Sequence, residues 1–382
     1  MSKSLINRKN FYIIQKVFLN KKIIKEYFTN NLYLDIGYNK FTLDKFYLKF
    51  DNLSILLIKD NYIIPNLIYY VYNKLKERKF NIILIDWNNE ILNGEKFLNK
   101  TYIKRKLEDF LSQIPNKELL LNLIVNIIVL ICDLNMSEAQ ILKKMVLNKI
   151  LERYVERIKL KDIKNVLASV MLATTYENEV RNTVIRKIEK ILNDEILSEM
   201  EIDFTSRSKE ISDMLLPLYQ WKNSSLKLLV LLLLLETLLV TYKKENNYVV
   251  ILNVPAYIYN SVDIILKERL LKKVGDLLDL KIPLLIIVES LDNELYRTFH
   301  NYFNYIILTK RLLDIELQIL KKTLNTKILN ELTNKFKSME EGDILITNSQ
   351  NLIYILRPNK DEFLKANFQI FEEETIYFEF ES

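Results

Sequence analysis

Five unbroken apolar runs constrain the fold of this 382-residue chain more than any other feature: residues 53–58 (LSILLI), 81–85 (NIILI), 248–252 (YVVIL), 283–288 (PLLIIV) and 305–308 (YIIL). Each is too short for a helix and lacks the polar–apolar alternation of a strand with one wet face. Such runs are strands buried on both sides, which belong to parallel sheets whose crossover helices cover the two faces. The expected class is therefore α/β, with a mostly parallel sheet and helices on both faces. A hydrophobic content of 49% is ample for its core.

From about residue 100 to 240 the pattern is helical only, which predicts a large helical insertion. Ser137 and Gln140 have capping-box spacing at the start of one helix, and residues 161–173 and 178–192 read as two more. After residue 308 a helical stretch runs to about 337. Residues 343–347 and 352–356 then read as paired strands around the turn NSQN. The chain thus divides into a basic, aromatic-rich segment (1–50), the first part of the core (51–99), the insertion (100–240), the second part of the core (241–357) and an acidic tail (358–382).

Residue counts remove several function classes. Four glycines (Gly37, Gly94, Gly275, Gly342) cannot build a Gly-rich dinucleotide or phosphate fingerprint. The one cysteine, Cys132, rules out an intramolecular disulfide, and its apolar setting (NIIVLIC) predicts a buried thiol. His300, the one histidine, cannot supply a His-rich metal cage, and its place in ELYRTFHNYF suggests packing or capping. No metal site is expected. The amino terminus lacks the sustained apolar core of a secretory signal. Residues 119–132 and 228–240 are strongly apolar, but Asn122, Asn126 and Glu236 interrupt them, and both fall short of a membrane span. They are expected to be buried helices of a cytoplasmic protein without a transmembrane segment.

Charge is uneven. Residues 1–50 carry ten Lys/Arg against three Asp/Glu, within a whole-chain net charge of +6, whereas residues 359–382 carry seven acids and two lysines. Basic and aromatic residues interleave in the first segment, a pattern suited both to stacking on single-stranded nucleic acid and to ordinary core packing. Arg8, Lys9, Lys16, Lys21 and Lys22 are the candidate nucleic-acid contacts.

The first strand is followed by an eight-residue linker, KDNYIIPN, and a helix expected over 67–78. Strand, loop and helix in that order frame a phosphate-cradling loop, GxxxxGK[ST]. On that spacing Lys59 and Ile64 stand for the glycines, Pro65 for the lysine and Asn66 for the Mg²⁺-binding hydroxyl. None has the required chemistry. Asp86, Glu90 and Glu289 fall at strand ends, where open α/β sheets place ligands, so a carboxylate cluster for a metal is the one alternative site chemistry.

In order and spacing, residues 51–357 resemble the HerA/FtsK branch of RecA-like P-loop motor ATPases, HerA more than FtsK. ILLIKDNYIIPNLIYYVYNKLKERKFNIILIDWNNEI is similar to that family's first strand, phosphate loop, helix and second strand. The second strand there ends in an Asp-Pro-x-Gly-Glu type turn. Asp86, Trp87, Asn88, Asn89 and Glu90 keep its two acids and lose the Pro and Gly. MSEAQILKKMVLNKILERY is similar to the family's helix between its second and third strands. YVVILNVPAY stands where a Walker B strand ends in Asp-Glu, with Asn253 and Val254 at those positions. PLLIIVESLDNEL places Val288 and Glu289 at the Thr-Gln motif. NYIILTKR, with Arg311 after the strand, and EGDILITNS resemble the last core strand and the closing hairpin.

The resemblance implies a RecA-like core, hexameric rings that move DNA in active relatives, and nuclease or membrane partners. The substitutions predict a catalytically inactive member with no cofactor expected, ATP and Mg²⁺ entering only if the degenerate site still binds them. Such a chain would work in a homo- or hetero-oligomer beside an active motor or nuclease. The sequence leaves two alternatives: a nucleic-acid-binding module using the basic segment, and an active DNA translocase with an unorthodox or shared nucleotide site.

Overall fold

The computed structural model describes residues 33–43, 45–49, 54–58, 64–92, 100–114, 116–153, 157–170, 172–203, 213–242, 248–259, 264–291, 294–309, 314–323, 326–340, 343–348 and 353–357. Its strands are β1 (Tyr33–Asn39), β2 (Lys45–Lys49), β3 (Ser54–Ile58), β4 (Asn81–Asp86), β5 (Arg157–Lys159), β6 (Glu201–Asp203), β7 (Met214–Pro217), β8 (Tyr248–Asn253), β9 (Leu284–Val288), β10 (Tyr305–Leu308), β11 (Ile344–Asn348) and β12 (Ile353–Arg357). The helices are α1 (Ile64–Glu77), α2 (Lys100–Leu111), α3 (Lys117–Ile131), α4 (Met136–Arg153), α5 (Leu160–Ser169), α6 (Thr175–Leu192), α7 (Glu195–Ser198), α8 (Ser224–Thr241), α9 (Ala256–Tyr259), α10 (Ile264–Asp279), α11 (Glu294–Phe299), α12 (Asp314–Thr323) and α13 (Thr326–Lys337).

Ten strands form one sheet in the order β2-β1-β12-β11-β10-β3-β9-β8-β4-β7. The six from β10 to β7 are parallel, and the other four extend the sheet antiparallel from β10. Burial explains the unbroken apolar runs. Alternate residues of each core strand enter opposite layers: Leu56, Ile83, Val250 and Ile286 pack with α8, α10 and α3, whereas Ile55, Ile82, Val249 and Leu285 pack under Leu67, Ile68, Val71 and Leu75 of α1. Both faces of these core strands are dry, so a polar side chain there needs a partner, as Ser54 Oγ finds in donating to Tyr302 O at 2.6 Å.

Helix α8 is apolar on every side and 18 residues long, so by length and composition it would cross a membrane. It is longer than the expected run because Asn223 caps it early, its side chain accepting from Ser225 N. Its one acid explains its place in the fold. Glu236, 5% exposed, accepts from Arg269 Nη2 at 3.1 Å and pairs with Lys273 Nζ at 2.9 Å, both on α10.

Several parts of the chain differ from expectation. The region read as helical only contains the β5–β6 pair and β7, which extends the parallel sheet beside β4. Within 1–50, β1 and β2 join the antiparallel end of the sheet, where the Phe46 ring lies 4.9 Å from that of Tyr354. The box at the start of α4 is formed by Asn135 and Glu138, each side chain accepting from the other's backbone N–H, rather than by Ser137 and Gln140. Cys132 caps the end of α3 and is half-buried rather than in the core. Burial raises its thiol to about 11, so it is not a thiolate nucleophile at neutral pH. His300 opens a short 3₁₀ turn with its ring 5.6 Å from that of Tyr296, a packing position.

Candidate functional site

Parallel strands aim their carboxyl ends at one edge of the sheet, which is where this architecture places ligands. Here that edge carries Ile58, Asp86, Pro217, Asn253, Val288 and Leu308. Asp86 and Asn253 are directly paired across β4 and β8, and Trp87 N donates to Asn253 O at 3.0 Å.

Asp86 is fully buried. Its Oδ2 accepts from Ile91 N at 2.8 Å and Leu92 N at 2.9 Å, and its Oδ1 from Glu90 N at 3.3 Å and Asn253 Nδ2 at 2.8 Å. A carboxylate offers about four acceptor directions. All four are occupied, three of them by the turn that follows β4, where Asn89 adopts a φ of 61°. Burial pushes the Asp86 carboxyl above its ordinary range, and the bonds from Leu92, Asn253, Ile91 and Glu90 hold part of that shift back. Asn253 Nδ2 also donates to Glu90 Oε2 at 3.1 Å, so one amide bridges two acids.

A cation stands behind this turn. Lys227, in the first turns of α8, donates to Trp87 O at 2.9 Å and lies 5.2 Å from the centre of the Trp87 ring, while Trp87 Nε1 donates to Tyr257 OH at 3.1 Å. Burial lowers the Lys227 ammonium below its usual value, and the Asp86 charge pulls it partly back. Nothing in the local sequence marks Lys227 or Tyr257. Topology brings them here.

The other expected positions do not join this cluster. Helix α1 begins at Ile64, so Ile64, Pro65 and Asn66 form its first turn, three residues earlier than expected. Val254 is 1% exposed and packs in the main core. Glu289 follows β9, two strands from β4. Next to it, Leu291 N donates at 3.2 Å to Glu316 of α12, a fully buried acid that no local pattern singles out. Lys59, Arg311, Arg8, Lys9, Lys16, Lys21 and Lys22 lie outside the described residues. The carboxylate cluster considered for a metal does not form: among the described residues no three His, Cys, Asp or Glu side chains are grouped to hold an ion.

With this geometry in place, a search of solved structures finds VirB4 of Thermoanaerobacter pseudethanolicus, at a TM-score of 0.58 and 12% identity, covering 85% of this chain and 96% of that one. The chain shares the α/β fold of VirB4. The plasmid coupling protein TrwB in complex with the ATP analogue ADPNP also matches, at a TM-score of 0.46 and 9% identity over 81% of this chain and 85% of that one. No family model and no curated protein matches the sequence.

The described residues do not fit Mg-ATP. Phosphate binding in this architecture needs a lysine and backbone amides at the start of α1, a hydroxyl and an acid for Mg²⁺, and a carboxylate to orient water. Pro65 has neither N–H nor charge, and Asn66 has no hydroxyl. Asn253 is neutral and donates to two acids, and Asp86 has no acceptor direction left.

Proposed function

We propose that this chain is a catalytically inactive HerA-like P-loop ATPase homologue. It serves as a structural or regulatory subunit of a cytoplasmic, DNA-translocating or DNA-processing oligomer, beside an active motor or nuclease. The observation that carries this reading is Val254. At the end of β8, where a motor needs a carboxylate to orient the attacking water, there is a valine sealed into the core at 1% exposure. Removing one transition-state-stabilising group typically costs roughly 3 kcal/mol, and here several are replaced together. The α/β fold itself is shared with VirB4. A retained frame with an altered site fits a subunit kept for its surfaces.

Calorimetric titration of the full-length chain with Mg-ATP, beside a competent P-loop ATPase as control, tests the loss of the site. No saturable heat at millimolar nucleotide is expected. Micromolar binding would overturn the inactive reading. Co-purification with an active motor or nuclease is expected from the native source, and repeated isolation as a lone monomer would count against the assembly role.

A further inference from the structure

We infer that the side-chain amide of Asn253 does the work of a bound cation between Asp86 and Glu90, making the β4–β8 strand ends a metal-independent lock one substitution away from a divalent-cation site. Its two N–H groups are divided between two carboxylates, Asp86 Oδ1 at 2.8 Å and Glu90 Oε2 at 3.1 Å. The remaining acceptor directions of Asp86 are held by backbone N–H groups of the turn. The amide is therefore a side-chain donor that ties the fully buried Asp86 to the half-buried Glu90, whose Oε1 also faces Asn88 Nδ2 at 3.4 Å, a task otherwise suited to a counter-ion.

The same distances say what an acid would do there. Oxygens around an octahedral ion with bonds of about 2.1 Å stand about 3 Å apart along each edge. In Asn253→Asp, the carboxylate oxygen that replaces Nδ2 would sit at that spacing from one oxygen of Asp86 and one of Glu90. Without a metal, three carboxylates would repel one another in a poorly solvated site. With one, they would form three ligands of an oxygen-rich cation site. Asparagine avoids both outcomes. This holds whatever the chain assembles with, so Mg-ATP binding would sink the functional proposal and leave the lock to its own test.

That test is thermal unfolding of the full-length chain in EDTA and in millimolar Mn²⁺. Wild type and Glu90→Gln should unfold within about 2 °C of each other and ignore both reagents, because a glutamine oxygen still accepts from the amide. Asn253→Asp should lose on the order of 5 °C in EDTA and recover it saturably with Mn²⁺, whereas Asn253→Leu should lose as much with no recovery. Wild-type stability that rises saturably with Mn²⁺ and loses the response in Glu90→Gln would overturn the inference. So would an Asn253→Asp chain as stable as wild type in EDTA, or one that Mn²⁺ does not rescue. Should Asn253→Asp fail to fold, Mn²⁺ electron paramagnetic resonance on wild type and Glu90→Gln decides. No stoichiometric Mn²⁺ in either supports the lock, and one ion in wild type that Glu90→Gln abolishes refutes it.

Discussion

Asp86 is a fully buried acid whose carboxylate is committed to structure. Its carboxylate organises the turn through three backbone N–H groups and ties that turn to β8 through Asn253. Replacing Asp86 with Ala orphans these buried donors, each worth about 1–3 kcal/mol when left unpaired. The expected loss is about 3 kcal/mol or more, read as a lower urea midpoint with an unchanged slope. A merely solvated acid would give a shift within about 0.5 kcal/mol. The sequence makes the chemistry of Pro65, Asn66, Asn253 and Val254 legible, because residue type alone excludes a charge or a hydroxyl there. It does not make the replacement bonds legible. Asn253 and Asp86 are 167 positions apart, and only strand order brings the amide onto the acid.

Among the elements, legibility follows how strongly burial shapes composition. Core strands β3, β4, β8, β9 and β10 read directly because both faces are dry. Strand β7 (MLLP) has four residues and ends in proline, too little pattern to separate from the helices around it. Strands β1 and β2 mix Lys, Asp and Asn with aromatics, as an edge hairpin does. Helix α8 reads as apolar, but its packing in this fold depends on Glu236 meeting Arg269 and Lys273. Glu236→Ala leaves two partly buried cations without their acid and should cost about 3 kcal/mol, with Glu236→Gln costing less. Urea unfolding of the two variants checks the order, and equal losses would mean that shape rather than charge holds the helix.

The loops flanking β11 and β12 supply a pH-dependent tie. Lys40, in the turn after β1, donates to Asp343 Oδ2 at 2.8 Å and Glu340 Oε1 at 2.9 Å, and Arg357 reaches the same two acids from β12. Burial pushes the Asp343 carboxyl up, but bonds from Lys40, Glu340 N and Arg357 outweigh it and hold the group below its ordinary value of 3.8. A lowered carboxyl contributes stability that is fully present above the ordinary value and is lost as pH falls through the folded one. Acid unfolding should therefore steepen below about pH 4. Asp343→Asn should be less stable at pH 7 and show a flatter acid limb. Equal limbs in the two proteins would remove Asp343 from the account.

At the scale of the whole molecule, that tie decides how the basic amino-terminal segment can be tested. Deleting residues 1–50 is the obvious probe for nucleic-acid binding through Arg8, Lys9, Lys16, Lys21 and Lys22. It also removes β1 and β2, uncovers the backbone edge of β12, takes the buried Leu48 out of one core layer and strips Lys40 from Asp343. The deletion should lower the unfolding temperature and promote self-association through the exposed edge, so lost binding in that variant would not locate a contact. Changing the five cations to Gln leaves the described sheet intact. If they contact phosphates, this variant keeps the wild-type unfolding temperature while single-strand binding weakens and its logarithmic salt slope falls by up to about 0.7 per phosphate contact removed. If binding is absent in wild type, or is unchanged in the five-fold variant, the basic excess plays no part in nucleic-acid recognition.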